Sequence, residues 1–239
     1  MNKNIKSKIH QEISKIAKKE NKQNYERYFK NVIKFYGLKT PDLKEIFKKI
    51  WPDIKKYDLN NQISLAFELF QSDYSEDKSL AIKILDKNSK YLPLTIISDL
   101  ERIIDKHVYD WATCDMLSGR VLRYLIVRDK NVVKQIINWK KAKNNWRNRA
   151  AAVSFVNLAR HGDYNKEIIE ICQTNIKNPE RFVQLGTGWV LRELSLADLD
   201  LVVSFIKKNY RYFSREGLRY AIEKMNSKLK KELLEFKKN

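Results

Sequence analysis

Tyr109-Asp110-Trp111-Ala112-Thr113-Cys114-Asp115-Met116-Leu117 opens a helical pattern, and the way it opens returns further along the chain. Asp110-Trp111, Asn145-Trp146 and Arg181-Phe182 begin similar apolar-periodic segments at steps of 35 and 36 residues, and Ser214-Arg215 begins another after a step of 33. Within the segments, apolar residues fall at intervals of three and four, so each is a helix with one buried face. A helical pattern that repeats every 33 to 36 residues is the mark of stacked two-helix units, none of which could bury its apolar face alone.

Tetratricopeptide and ankyrin signatures are absent, which leaves loosely defined HEAT-like pairs. The expected fold is all-α, an α-solenoid of HEAT-like two-helix repeats whose equivalent helices line a concave basic groove. The same periodicity extends toward the N-terminus. Ile5, Ile9, Ile13 and Ile16 make one stripe, and Tyr25, Phe29, Val32, Ile33 and Tyr36 make a second that predicts a helix stopping at Gly37. Thr40-Pro41-Asp42-Leu43 predicts a cap followed by proline at the first helical position, and Trp51-Pro52 predicts the end or a kink of that helix. Further single helices are predicted over 111–127 and 146–158. Six Gly and four Pro leave too few turn residues for a β-sandwich. With no Gly/Ser linker, the chain reads as one domain over 1–239, in which 1–37 packs as N-terminal helices on the repeats.

Lys and Arg number 48 against 29 Asp and Glu, a formal charge of +19. Such a surplus speaks to a polyanionic partner rather than to the fold. No apolar run approaches the roughly 18 residues of a membrane span, and no signal-like apolar region comes after the first residues, so a cytoplasmic protein is expected, with no membrane partner. Eleven of the thirteen arginines lie beyond Gly119; their forked guanidinium groups suit directed phosphate contacts, whereas lysine supplies diffuse attraction. Cys114 and Cys172 stand 58 positions apart without a second Cys or His beside either, which predicts two buried thiols and no metal site. Walker-type and dinucleotide-binding glycine loops are absent, and Gly186-Thr187-Gly188 lies in a helical pattern where it would admit a close neighbour. No cofactor is expected. His10, His107 and His161 have no catalytic context and read as surface or capping residues.

Trp111 and Asp115 stand four apart and share one helix face. An aromatic plane beside a carboxylate can stabilise a cation; the same two residues could equally be a core indole and a surface acid. Arg147 and Arg149 lie at the start of the next equivalent helix, where phosphate binding is favoured, and Trp189 supplies a second indole one repeat on. These residues fit an enzyme acting on nucleic acid, a non-catalytic module binding DNA or RNA structure through its backbone, or a scaffold for acidic proteins.

Trp-x-x-x-Asp at 111–115, Trp-x-x-Arg-Ala-Ala at 146–151 and Gly-Trp-Val-Leu-Arg-Glu at 188–193, with Arg27-Tyr28-Phe29-Lys30-Asn31 ahead of them, resemble the AlkD-like DNA glycosylases, the DNA alkylation repair family built from HEAT-like repeats. The resemblance spans nearly the whole chain. It implies excision of N3- or N7-alkylated purines from duplex DNA without metal or small-molecule cofactor; a groove-binding solenoid can act as a monomer, and the expected cytoplasmic protein would be associated with the nucleoid when bound to DNA. By the same resemblance, Trp111 and Trp189 flank the deoxyribose of the lesion and Asp115 sits beside the anomeric carbon and the attacking water. Arg149 then holds the DNA backbone, Tyr28 contacts the lesion strand, and Arg147 is a further phosphate contact. One departure stands out: a basic residue found in family members about two turns after the Trp-x-x-Arg arginine is replaced here by Val156-Asn157-Leu158-Ala159, with Arg160 just beyond.

Overall fold

The computed structural model describes residues 2–236, and among them helices succeed one another with no strand. The all-α expectation is met. The chain forms two compact units, Met1–Val121 and Leu122–Asn239. The boundary falls in the helical stretch that begins at Trp111, so no shift of composition marks it.

In the first unit, α1 (Asn2–Ser14) packs on α3 (Thr40–Ile54), α3 on α5 (Ser75–Lys87), and α5 on both α4 (Leu59–Phe70) and α7 (Trp111–Leu117). The helix α6 (Ile96–His107) lies against α4. Ile9, Ile46, Ile50, Leu65, Phe70, Leu80 and Ile84 are wholly removed from solvent. Each contributes roughly 1.5–3 kcal/mol relative to exposure.

The second apolar stripe folds differently from its periodicity. The helix α2 covers only Lys19–Tyr28. Lys30 and Asn31 then take left-handed backbone conformations, with φ of 53° and 59°, and the Asn31 amide closes back on the Glu26 carbonyl at 2.7 Å, so the helix ends in a left-handed turn. Residues 33–38 run on as an extended strap. Lys34 N donates to the Asp73 carbonyl, and Ser75 N donates to that of Lys34. The buried Glu76 carboxylate accepts from the amides of Tyr36, Gly37 and Leu38 at 2.9–3.1 Å. Those amides cannot also serve a helix, and the carboxylate binds them more strongly than a neutral carbonyl would. Gly37 is not a helix end; it sits at φ +100°, where an added Cβ would lie 2.2 Å from the Lys18 carbonyl oxygen.

Three further boundaries differ. Pro52 is accommodated inside α3, which runs on to Ile54 after a start at Thr40, and Asp42 accepts from the Lys39 amide to close the cap. The 111–127 stretch is interrupted by a π-helical turn, Ser118–Leu122, before α8 (Arg123–Arg128); such turns are frequent near functional sites. The 146–158 stretch divides into α10 (Asn145–Val153) and α11 (Val156–Ala159).

In the second unit, α9 (Lys130–Asn138), α12 (Asn165–Asn175) and α14 (Leu199–Asn209) alternate with α10, α13 (Arg181–Leu194) and α15 (Arg215–Ala221), and α16 (Ser227–Glu235) ends the chain's described helices. The second set packs side by side in the order α10, α13, α15, which is the recurrence the sequence displays. Equivalent polar residues join the repeats: buried Asn148 donates to the Trp139 and Ala142 carbonyls, and buried Gln184 donates to those of Ile176, Asn178 and Tyr212. Each amide satisfies carbonyls left over at the ends of neighbouring helices.

Candidate active site

All four recurring helix starts are capped by the side chain just ahead. Asp110 accepts from the Thr113 amide at 2.9 Å, Asn144 from Trp146 and Arg147, Glu180 from Phe182 and Val183, and Ser214 from Gly217. Such caps contribute about 1 kcal/mol each and fix where the first helical residue points. Trp111 is therefore the first residue of α7, with Asp115 one turn later on the same face, and both are half-buried.

The first unit brings three of its aromatic residues together. The Trp111 indole stacks on Phe29 with centroids 5.6 Å apart and planes at 19°, and meets Tyr28 edge-on at 6.5 Å. Phe29 in turn packs against Phe35 of the strap. Tyr28 itself remains 68% exposed, so one end of the cluster is buried and the other is presented to solvent. The early end of α2 creates this arrangement: a helix continuing to Gly37 would have carried the chain past Trp111 instead of turning it at Lys30-Asn31. Sequence reasoning missed Phe29 as a partner of Trp111 because it assigned that ring to a helical stripe.

In the second unit, Arg147 is half-buried and Arg149 is buried, at 4% exposure. Nη1 of Arg149 donates to the Phe182 carbonyl at 2.6 Å, in the first turn of α13. The space for its guanidinium is Gly186, where an added Cβ would stand 3.1 Å from Arg149 Cγ and 3.3 Å from Nη1. Gly188 serves another close approach, to the Gly217 carbonyl of α15. The close neighbour expected at this glycine pair is present on both sides. Gly186→Ala should displace the Arg149 side chain and cost about 1 kcal/mol of stability by overpacking, measurable by urea unfolding. Trp189 lies further along the same helix, half-buried. One turn beyond it, Glu193 is almost fully buried and accepts from Arg160, Arg192 and Lys224 at 2.7–3.0 Å. Burial alone would raise its pKa, but those three cations outweigh it and hold the carboxyl down at about 2. Through Arg160 and Lys224, Glu193 joins neighbouring repeats.

Cys114 and Cys172 are both buried, and neither forms a disulfide. His10 and His161 are exposed and His107 ends α6 half-buried. Among the described residues, no three His, Cys, Asp or Glu side chains are grouped to hold a metal ion, and no helix is long and apolar enough to cross a membrane.

Residues 9–225 match the sequence family described as DNA alkylation repair enzyme. The chain belongs to that family. Its role is accordingly one of DNA repair, and it is an enzyme of that class. Among solved structures, a predicted DNA alkylation repair enzyme from Enterococcus faecalis has the same fold, with a TM-score of 0.80 at 16% identity over 89% of this chain and 98% of that one. No curated protein matches.

Proposed function

We propose that the protein is a DNA glycosylase that hydrolyses the N-glycosidic bond of cationic N3- or N7-alkylated purines in duplex DNA. The observation that carries this reading is the Trp111–Asp115 pair on α7, with its indole held by Phe29 and Tyr28. A purine alkylated at N3 or N7 already bears a positive charge and departs as a neutral base when the bond between C1′ and its glycosidic nitrogen breaks, taking the bonding pair. No general acid is needed. What needs stabilising is the oxocarbenium-like sugar left behind, and a carboxylate with an aromatic face is suited to it. Water then adds to C1′ and loses its proton as the sugar becomes a hemiacetal; Asp115 can accept that proton. Trp189 carries the second indole assigned to the sugar. The reaction in this form needs no deep pocket for the base, unlike enzymes that flip the base into an enclosing site.

DNA contacts are assigned to Tyr28, Arg147 and Arg149. Tyr28 is assigned to stack or hydrogen-bond with the lesion strand, and its exposure supports that role. Arg149, buried and donating to the Phe182 carbonyl at the start of α13, is assigned a backbone contact together with Arg147, and the diffuse charge of +19 adds attraction at longer range. Tyr28→Ala should lower thermal stability only slightly, by about 1 kcal/mol for its edge contacts to Phe29 and Trp111, and weaken binding to alkylated duplex by about 5- to 10-fold, in line with the loss of one aromatic contact to a base. Thermal melting checks the first expectation and fluorescence anisotropy of a labelled duplex the second.

The experiment that tests the reading is chromatographic detection of free 7-methylguanine or 3-methyladenine after incubation with alkylated duplex DNA, with no metal added. Base release supports it. Binding to the same DNA without release, under conditions in which a known glycosylase works, supports instead a module that recognises DNA structure through its backbone.

A further inference from the structure

Lys78 is the one lysine whose side chain is wholly buried among the described residues, at 0% exposure. It lies in the first turns of α5, and its ammonium faces the three-residue connection between α6 and α7. Nζ donates to the His107 carbonyl at 2.5 Å and stands 4.3 Å from the centre of the Tyr109 ring. The carboxylates of Asp110 and Asp73 attract it, while burial pushes its pKa down. Asp110 is itself 4% exposed; its Oδ1 caps α7 at Thr113, and its Oδ2 is buried without a hydrogen bond from any described residue. One cation thus meets a carbonyl at the end of α6, an aromatic face and the charge of the residue that sets the start of α7.

We propose that Lys78 is a positioning residue: by fastening the segment from His107 to Asp110, it fixes the place at which α7 begins and hence where Trp111 and Asp115 stand. A buried ammonium is a poor way to gain stability alone, since replacing a buried ionic group with a well-packed apolar one is often neutral or favourable. Its value lies in direction. The ammonium bonds the His107 carbonyl and lies on the Tyr109 face at the same time, within the field of the Asp110 carboxylate, and an apolar side chain of the same length would replace none of these interactions. Asp115 lies five residues beyond Asp110, so a slip of the cap moves the carboxylate with it. The inference rests on the assignment of Asp115 to the reaction.

Lys78→Met keeps the length of the side chain and removes the ammonium; Lys78→Gln keeps an N–H donor without the charge. Two readings are taken for each, below the unfolding transition: single-turnover release of 7-methylguanine alongside duplex affinity, and amide hydrogen exchange over 108–117. Lys78→Met should slow release on the order of 10- to 10²-fold, as misplacement by about 1 Å does, leave affinity within about twofold and accelerate exchange selectively at 108–117. Lys78→Gln should fall between it and the wild type, and it carries both readings should Lys78→Met not fold. Unchanged exchange at 108–117, exchange accelerated equally throughout the first unit, or selective acceleration with undiminished release would each overturn the proposal. A wild-type protein that releases no base overturns the role of Asp115, and the exchange result then still decides whether Lys78 anchors α7.

Discussion

Asp115→Asn should bind alkylated duplex DNA within a few-fold of the wild type while releasing alkylated base on the order of 10²-fold more slowly, or slower still. Asn has the size and much of the hydrogen-bonding capacity of Asp, so the change removes little besides a negative charge. Attraction between that charge and the sugar grows as the glycosidic bond breaks, because positive charge moves from the purine onto C1′ and the ring oxygen. The loss therefore belongs to the transition state and lowers the rate more than the affinity. Removal of one such electrostatic group typically costs 10²- to 10³-fold. Ground-state binding could even tighten slightly, since a carboxylate repels the phosphates that surround the lesion. Single-turnover release beside anisotropy separates the two quantities.

Glu193→Gln should be the most destabilising conservative change in the second unit, by about 3 kcal/mol, which lowers the unfolding temperature on the order of 10 °C. Its carboxylate is almost fully buried and is the shared ion-pair partner of Arg160, Arg192 and Lys224. Without that charge the three cations face one another and two oxygen acceptors become one. The depressed pKa also sets a pH dependence. A carboxyl near 4.5 when unfolded and about 2 when folded contributes stability that is complete above about pH 5 and is lost as pH falls toward 2, amounting to about 3 kcal/mol in all. The gap between wild type and variant in urea unfolding should hence be constant from pH 7 to pH 6 and shrink by more than half by about pH 3. Glu193 stands one turn after Trp189, so the variant also tests whether this ion cluster holds that indole steady.

Much of the chain from Asp110 onward was legible because its repeats state the same pattern several times. Asp110, Asn144, Glu180 and Ser214 each cap a helix that starts where the recurrence placed it, and local capping chemistry needs no knowledge of distant residues. The strap at 33–38 was not legible. Its apolar residues lie at helical intervals, and only the long-range hydrogen bonds of Glu76, some 40 residues away, decide that its amides go elsewhere. The same limit applies to the site. Trp111 and Asp115 are one turn apart on a helix that sequence alone predicts, and their pairing is a consequence of helical geometry. Phe29 reached Trp111 only because α2 stops early. Arg149 belongs to a motif that reads as a phosphate contact, yet its guanidinium is drawn into the space left by Gly186, a pairing of residues 37 positions apart (186 − 149). Lys78 had no signal at all: in the polar first turns of α5, beside Glu76 and Asp77, it reads as part of a solvated face. Burial of that ammonium is a product of tertiary packing.

The most direct test of the account is release of 7-methylguanine from alkylated duplex DNA by wild type and Asp115→Asn side by side, at enzyme concentrations that saturate the DNA. Free base from the wild type and at least about 10²-fold slower release from the variant at equal occupancy are expected. Equal rates for the two proteins, or no release by a wild type that occupies the DNA fully, would contradict it.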